Sequence, residues 1–198
     1  MHQIAQLLGN TDIYLIDQIM KGRYGSADII LDAGAGGGRN LQWFVQQGFD
    51  VYGTDRDPVA VDALKQSYPG LASDRFQVAA LESMPFQDAF FHHIICSAVL
   101  HFADNEAHFA QMFREMARVL RPEGSIFIRM TTDKGVENSI IPLGRGRFHL
   151  ADGSDRFLLT RKTLDDLMQE LRLRLLEPFK TVLVEDMRSM AVLVLEKH

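Results

Sequence analysis

Cysteine is almost absent from the sequence, which contains only Cys96. A single cysteine cannot form an internal disulfide, and it cannot supply the thiolate cluster of an iron–sulfur or zinc site. Because Cys96 lies inside the apolar stretch IICSAVL, we expect a buried thiol on a strand rather than a nucleophile. The histidines are not paired at i, i+4 with acids on a helix face, so the sequence predicts no metal site.

Blocks of like charge and long apolar runs are also missing. The chain has 21 basic and 26 acidic residues and a formal net charge of −5, which gives no footprint for nonspecific binding to nucleic acid or anionic lipid. No apolar run approaches the length of a bilayer span, and the start MHQIAQLLGNTD lacks the basic-then-apolar order of a signal peptide. We therefore expect a cytoplasmic protein without a membrane partner and with nucleic acid disfavoured.

The sequence lacks internal repeats and linkers, and its 198 residues, 46% of them hydrophobic, suit one domain spanning 1–198. Strand-like and helix-like segments alternate, which predicts an α/β fold with a doubly wound, mostly parallel sheet and helices on both faces. The predicted parallel strands are 29–31, 50–54, 75–79, 93–98 and 125–130, and an antiparallel pair is predicted at 181–184 and 190–195. Helices are predicted after the caps Thr11, Asp57 and Thr160, over 40–47 and over 109–120.

Glycine, by contrast, is concentrated in one place, the stretch ILDAGAGGGRNLQWF after the first predicted strand. Four glycines in five positions are costly to order unless the backbone needs a positive φ or approaches a ligand closely. A dinucleotide fingerprint G-x-G-x-x-G/A would need Gly or Ala at the position of Arg39. The spacing here is Asp32-x-Gly34-x-Gly36-x-Gly38, at the strand end where doubly wound sheets bind ligands.

This spacing resembles the first motif of the class I S-adenosylmethionine-dependent methyltransferases, and the resemblance covers about residues 28–130. LESMPFQDAFFHHIICSAVLHF and MARVLRPEGSIFI are similar to later motifs of that family. The resemblance implies a Rossmann-like, seven-stranded sheet with a C-terminal antiparallel strand. Within the family, the sequence is most similar to the small-molecule methyltransferases of types 11 and 12. The cofactor-binding residues that the resemblance implies are Asp32, Gly34, Gly36, Gly38, Asp55, Arg56, Leu81 and Ser97.

Each of these roles has a chemical reason. In the family, the acid at Asp55 accepts hydrogen bonds from both ribose hydroxyls, for which a carboxylate is suited. Gly34 and Gly36 let the backbone approach the methionyl portion, Asp32 orients its ammonium, and the peptide groups around Ser97 line the other side. Arg39 reaches the cofactor carboxylate or is simply exposed.

The sequence departs from the family pattern at two places. Ala80 stands where an acid usually faces the adenine, so that contact is absent or is replaced by Glu82, while the backbone of Leu81 is retained. His92 stands where the family often has Asp at the start of strand four, and we interpret it as structural.

Acceptor-side residues are harder to assign. We expect His101, shortly after strand four, to face the methyl group as a catalytic base, with helix capping or packing as the alternative. Segment 131–159 has no apparent structure and should overhang the site, and the N-terminal segment 1–27 is interpreted as a helical lid. Around the first of these segments lie several basic residues, which indicate an anionic acceptor unless they are only solvated: Arg129, Arg145, Arg147, His149 and Arg156.

The function predicted from these patterns is in-line transfer of a methyl group from S-adenosylmethionine to a small molecule, releasing S-adenosylhomocysteine. A nicotinamide-dependent oxidoreductase and a non-enzymatic S-adenosylmethionine-binding module remain the alternatives. A nucleic-acid methyltransferase is disfavoured, because SAVL stands where an N/D-P-P-Y/F-like motif would follow strand four.

Overall fold

The computed structural model describes residues 2–198 and, for His2, the backbone only. The helices are α1 His2–Leu8, α2 Ile13–Met20, α3 Gln42–Gln46, α4 Pro58–Ser67, α5 Glu106–Val119 and α6 Arg161–Leu171. The strands are β1 Ile29–Ala33, β2 Asp50–Asp55, β3 Phe76–Val78, β4 Phe91–Ser97, β5 Leu120–Thr132, β6 Ile141–Gly144, β7 Arg147–His149, β8 Asp155–Phe157, β9 Leu173–Leu175, β10 Lys180–Val184 and β11 Arg188–Lys197. Two short 3-10 turns lie at Ser73–Arg75 and Leu100–Phe102.

One large sheet organises the chain, with strand order β10-β11-β5-β4-β1-β2-β3 and β9 paired to β11. Strands β1 to β5 run parallel, whereas β11 runs antiparallel between β5 and β10. This order confirms the predicted doubly wound fold with its C-terminal antiparallel strand. From β1 the chain continues to β2 and β3 on one side of the sheet and then crosses to β4 and β5 on the other side. The carboxyl ends of β1 and β4 therefore flank the crevice where such folds bind ligands.

Helices cover both faces of the sheet. Ile94 and Cys96 of β4 point into the core shared with α5 and α6, while Ile95 points into the core shared with α2, α3 and α4. Because both faces are buried, the central strands are almost continuously apolar, which is the pattern by which the sequence predicted them. The expected burial of Cys96 is confirmed, and that burial raises the pKa of its thiol.

The start of α2 differs from the prediction. Thr11 was expected to cap this helix, but the carboxylate of Asp12 accepts from the Tyr14 amide at 3.0 Å and is the cap. The hydroxyl of Thr11 instead donates to the carbonyls of Leu8 and Arg39, at 2.6 and 3.1 Å. Thr11 therefore ties the N-terminal helices to the end of the glycine loop.

Segment 131–159 is not irregular, which corrects the expectation from the sequence. It forms a three-stranded antiparallel sheet, β6-β7-β8. This small sheet is anchored on the main body, because the ring of Phe157 stacks on Phe109 of α5 at 4.5 Å and the hydroxyl of Thr131 donates to the Phe157 carbonyl at 2.9 Å. The segment is therefore a folded wall beside the carboxyl ends of the strands.

Residues 121–124 form a bulge inside β5. Phe91 of β4 is opposite Leu120, but His93 is opposite Ser125, so the intervening residues of β5 loop out. Glu123 has a φ of 63° there, which a turn explains.

Candidate cofactor and acceptor site

Two clefts lie at the carboxyl ends of the parallel strands and meet at Ala98, the residue after β4. The first cleft measures about 220 Å³ and the second about 260 Å³. Ala98 has a φ of 64°, an uncommon conformation for a residue with a side chain, and its amide donates to the Arg129 carbonyl at 2.8 Å. The two clefts therefore adjoin at the end of β4.

The glycine loop forms one wall of the first cleft, and its glycines serve different purposes. Gly36 has a φ of 52°, and a Cβ built on it meets no atom within 4 Å, so this backbone faces open space that a ligand can occupy. Gly34 and Gly38 have φ of 80° and 81°, and their Cβ atoms would lie 2.3 Å from Val99 and 2.4 Å from Leu64. These two positions need glycine for backbone conformation and packing.

Asp55, at the end of β2, lines the first cleft opposite the loop. Its Oδ2 accepts from the Gly36 amide at 2.9 Å, and its Oδ1 accepts from the Asp57 amide at 3.0 Å. Since each carboxylate oxygen can accept two hydrogen bonds, both oxygens keep an acceptor position for a pair of hydroxyls. Asp55 thus holds the glycine loop and leaves acceptor positions free on the wall of the first cleft.

Asp32, at the end of β1, is 1% exposed and contributes to the surface of neither cleft. Its Oδ2 has no hydrogen-bond partner in the described part of the chain. Burial raises the pKa of this carboxyl from 3.8 to about 7, with Asp55 adding to the increase and Arg39 opposing it. A buried acid left in this state is costly, and a cationic group bound near the loop would relieve the cost.

The far end of the first cleft is built around Glu82. Leu81 is buried and Glu82 is half-buried, and both line the cleft, whereas Ala80 does not. The carboxylate of Glu82 lies 3.4 Å from Nε2 of His108, a cleft residue of α5 that sequence reasoning missed. An acid therefore lines this end of the cleft at position 82 and not at position 80, while Arg56 lies exposed at the rim.

Nδ1 of His108 accepts from the Asp104 amide at 3.2 Å and lies 3.3 Å from the Asp104 carboxylate. Asp104 precedes α5, so this i, i+4 pair does not lie on a helix face. Within residues 2–198, no group of three or more potential ligands could hold a metal ion.

A buried carboxylate, Asp12, organises the second cleft. Its side chain is fully buried, and its Oδ2 accepts from Nη1 of Arg129 at 2.8 Å and from Oγ of Ser97 at 3.1 Å. Nη2 of Arg39 lies 3.9 Å from the same oxygen. The N-terminal segment, the glycine loop and the ends of β4 and β5 therefore converge on one carboxylate. Asp12 was not among the residues that the sequence analysis singled out.

His101 lies in the 3-10 turn after β4, is 7% exposed and lines the second cleft. It does not cap α5, because Asn105 does so by accepting from the His108 amide. Nδ1 of His101 has no partner among the described residues. Burial, with smaller effects of Arg156 and Arg188, lowers the pKa of this imidazole to about 4, so it is neutral at pH 7.

Only some of the basic residues expected near the acceptor line the second cleft. Arg129 and Arg156 line the second cleft, and Arg188 of β11, which sequence reasoning missed, joins them. Arg147 instead donates to the Ala103 carbonyl at 3.0 Å. The other two lie outside the cleft lining: Arg145 is an exposed turn residue, and His149 pairs with Asp155.

The interpretation of His92 as structural agrees with its contacts. Its Nδ1 accepts from the Ile29 amide at 3.0 Å, at the end of the sheet opposite the two clefts. His92 therefore holds the start of β1 against β4 and is remote from the candidate site.

Together, the doubly wound sheet, the glycine loop and the acid at the end of β2 define a nucleotide-cofactor-binding α/β protein. Residues 31–128 match the family described as a methyltransferase domain. The chain is 31% identical over 99 residues to the uncharacterized methyltransferase YodH of Bacillus subtilis, a match that covers 49% of this chain and 40% of YodH. Residues 31–128 thus resemble a methyltransferase domain, and the match spans less than half the length of YodH.

Solved structures support the fold. A SAM-dependent methyltransferase from Methanosarcina mazei aligns with a TM-score of 0.73 at 19% identity, covering 90% of this chain and 96% of that one. The cyclase SpnF aligns with the same TM-score at 16% identity, covering 93% of this chain and 80% of that one. At such identities the likeness concerns the fold alone. Among residues 2–198, no helix is long and apolar enough to cross a membrane.

Proposed function

We propose that this protein transfers a methyl group from S-adenosylmethionine to a small-molecule acceptor. One observation carries the proposal. The amide of Gly36 in the glycine loop donates a hydrogen bond to the carboxylate of Asp55, beside two clefts that meet at Ala98. When bound, S-adenosylmethionine supplies a methyl group already activated by its sulfonium. The task left to the protein is to position the reactants for an in-line displacement and to exclude water.

In this proposal the first cleft holds the adenosine portion of the cofactor. Asp55 accepts from the ribose hydroxyls, and Leu81 and Glu82 border the adenine. Oδ2 of Asp32 is buried without a partner among the described residues, which supports a role for this carboxylate in attracting the cofactor's ammonium from behind the loop. A bound cation would lower the raised pKa of Asp32 and so keep the carboxylate ionised. Ser97 and Gly34 lie between the adenosine and amino-acid ends of the cofactor in this proposal. Gly38 packs the glycine loop against α4.

The second cleft is the proposed acceptor site. Its volume of about 260 Å³ lies below the range of drug-sized sites, which favours a small acceptor. Its lining contains four arginines and two aspartates, which favours an acceptor with negative charge even though the whole chain is acidic. The folded segment 131–159 and Asp12 of the N-terminal segment contribute to its walls in this proposal, within a single domain.

His101 is the proposed catalytic residue. Because its imidazole is neutral at pH 7 and its Nδ1 lacks a partner, it can accept a hydrogen bond or a proton from the attacking group. A pKa of about 4 makes it a weak base, so it suits an acceptor whose proton is already acidic. Positioning of the acceptor is then its main contribution.

A second candidate function is binding of the cofactor without methyl transfer. The fold permits this, because one solved structure with this fold is described as a cyclase. The nicotinamide-dependent alternative is disfavoured by the family match over residues 31–128. The cytoplasmic location stays a prediction from the sequence.

Calorimetric titration with S-adenosylmethionine, S-adenosylhomocysteine and NADH tests the proposal. We expect saturable binding of the first two ligands and about tenfold or more weaker binding by Asp55→Ala, because two charge-assisted hydrogen bonds are lost. The matched control is Asp62→Ala, an exposed acid on α4. Binding of NADH alone, or equal binding by both variants, would contradict the proposed cofactor site. Acceptor screening by mass detection of S-adenosylhomocysteine then separates methyl transfer from binding alone.

A further inference from the structure

Two arginines of the second cleft remain available for an acceptor. Arg156 of β8 is already held in place, since its Cζ lies 5.0 Å from the centroid of the Phe102 ring and its Nη1 donates to the Asp155 carbonyl at 2.9 Å. Arg188 enters from the start of β11, and its side chain is 51% exposed. Both lie near enough to His101 to lower the pKa of its imidazole. The two guanidinium groups therefore act on the same part of the cleft.

The other two arginines lie beside Asp12 and the glycine loop. Arg129 bonds to the buried carboxylate of Asp12 at 2.8 Å, and Nη2 of Arg39 donates to the Ser97 hydroxyl at 3.4 Å. Arg39 is thus placed toward the amino-acid end of a cofactor. Arg156 and Arg188 are left on the acceptor side.

An aspartate faces these two arginines. Oδ2 of Asp152 lies 3.7 Å from Nη1 of Arg188, which is too long for a direct hydrogen bond. Its Oδ1 accepts from the amide and the hydroxyl of Ser154 at 3.0 and 2.6 Å, so the local turn holds Asp152 back from Arg188. Asp152 is therefore a loosely paired counter-ion that stays near the arginines, and an incoming anion competes with it.

The charge balance and the walls define the ligand class. Arg156 and Arg188 against Asp152 leave one net positive charge, which matches a monoanion better than a dianion. The wall includes the apolar side chains of Leu150, Val184 and Met190. A carboxylate joined to a compact apolar body fits both features.

We propose that Arg156 and Arg188 bind the carboxylate of the acceptor, that the acceptor is a small carboxylic acid with an apolar body, and that Asp152 competes with it. This inference rests on the proposed function, because it assigns the second cleft to the acceptor. It adds Arg188 and Asp152 as residues that determine specificity.

Benzoate, benzamide and phenyl phosphate serve as probes, titrated into the protein saturated with S-adenosylhomocysteine so that the cofactor's own carboxylate site is filled. Calorimetry or NMR shifts give the Kd. We expect benzoate to bind and benzamide to bind about tenfold or more weakly. Arg188→Gln should weaken benzoate binding about tenfold, and Arg188→Lys should retain part of it.

Asp152→Asn gives an effect of opposite sign. It removes the competing charge but keeps an oxygen to accept from Ser154, so we expect benzoate to bind about two- to fivefold more tightly. A misfolded variant cannot produce this gain. Arg145→Gln removes the same charge as Arg188→Gln from an exposed turn outside the cleft, and it should change nothing.

Equal affinity for benzoate and benzamide, tighter binding of phenyl phosphate, or no effect of Arg188→Gln would each overturn the inference. Benzoate binding that disappears once S-adenosylhomocysteine is bound would also overturn it, because the anion site would then be that of the cofactor. Failure of S-adenosylhomocysteine to bind would instead count against the proposed function. The benzoate titration of the free protein would still report on the arginine pair.

Discussion

Replacing Asp32 by Asn should stabilise the protein and weaken its cofactor site at the same time. The carboxyl of Asp32 is 1% exposed, and burial raises its pKa from 3.8 to about 7. The folded state therefore keeps a proton on Asp32 at pH values where the unfolded chain has lost it. Because the folded state then binds more protons, the free energy of unfolding falls as pH rises from about 4 to about 7, and this contribution is constant above that range.

The size of the effect follows from the shift in pKa. A rise of about three pKa units corresponds to roughly 4 kcal/mol, which is the most that the ionised Asp32 can cost the folded state above pH 7. Asparagine resembles the protonated acid in shape and cannot ionise. The free energy of unfolding of Asp32→Asn should therefore equal that of the wild type near pH 4 and exceed it by about 1 to 4 kcal/mol at pH 8.

Urea unfolding of both proteins at several pH values between 4 and 8 measures this difference, with the exposed Asp62→Asn as control. A difference in unfolding free energy that does not change with pH would refute the reasoning, since it would mean that Asp32 ionises normally in the folded state. The same variant should bind S-adenosylhomocysteine about tenfold more weakly, because the ammonium loses its counter-charge. Gain of stability with loss of affinity is the expected signature of a group retained for binding.

The remaining predictions concern the loop, the proposed catalytic residue and the small sheet. Gly38→Ala should cost about 1 to 3 kcal/mol of unfolding free energy in urea titrations, because it adds a clash to an unfavourable φ. Gly36→Ala, where no atom lies within 4 Å, should cost about 1 kcal/mol but should weaken cofactor binding by calorimetry. Once an acceptor is known, kcat/KM should show no ionisation of His101 between pH 5.5 and 8, and an inflection that His101→Gln abolishes would contradict the lowered pKa. Phe157→Ala should cost about 3 to 5 kcal/mol, because it removes a buried ring stacked on Phe109, and limited proteolysis should then cut within 131–159.

Local and periodic features of the fold were predictable from the sequence. The central strands bury both faces, so their apolar runs are visible in the sequence, and caps such as Asp57 and Thr160 accept from the helical amides as expected. The glycine loop was predictable because its spacing reflects a backbone requirement. Asp55 was singled out by the resemblance to the methyltransferase family, and it does lie at the end of β2 beside the loop.

The small sheet escaped prediction for a physical reason. Strand β6 is exposed along its whole length, and β7 is only half-buried, so neither has the alternation of buried and exposed residues that indicates a strand. The strands are three or four residues long, and they are held mainly by contacts with α5 and β5. Such contacts join residues far apart in sequence and leave no local pattern.

The same limit explains why the centre of the second cleft was missed. Asp12 meets Ser97 and Arg129 across 85 and 117 residues of chain, and no spacing in the sequence encodes such a meeting. Arg188 reaches the cleft only because β11 inserts antiparallel beside β5. Residues of this kind become identifiable once the strand order is known.

The two clefts differ in the charges that line them, and this difference supports a nucleoside in the first cleft and an anion in the second. The first cleft presents the carboxylates of Asp55 and Glu82, which suits hydroxyl and amino donors of an adenosine. The second presents guanidinium groups, which suits carboxylates. A hydroxyl-rich nucleoside therefore suits the first cleft and an anionic acceptor suits the second, with Ala98 between them. The net charge of −5 averages over both clefts, so it argues against nonspecific binding to nucleic acid but says nothing against an anionic acceptor.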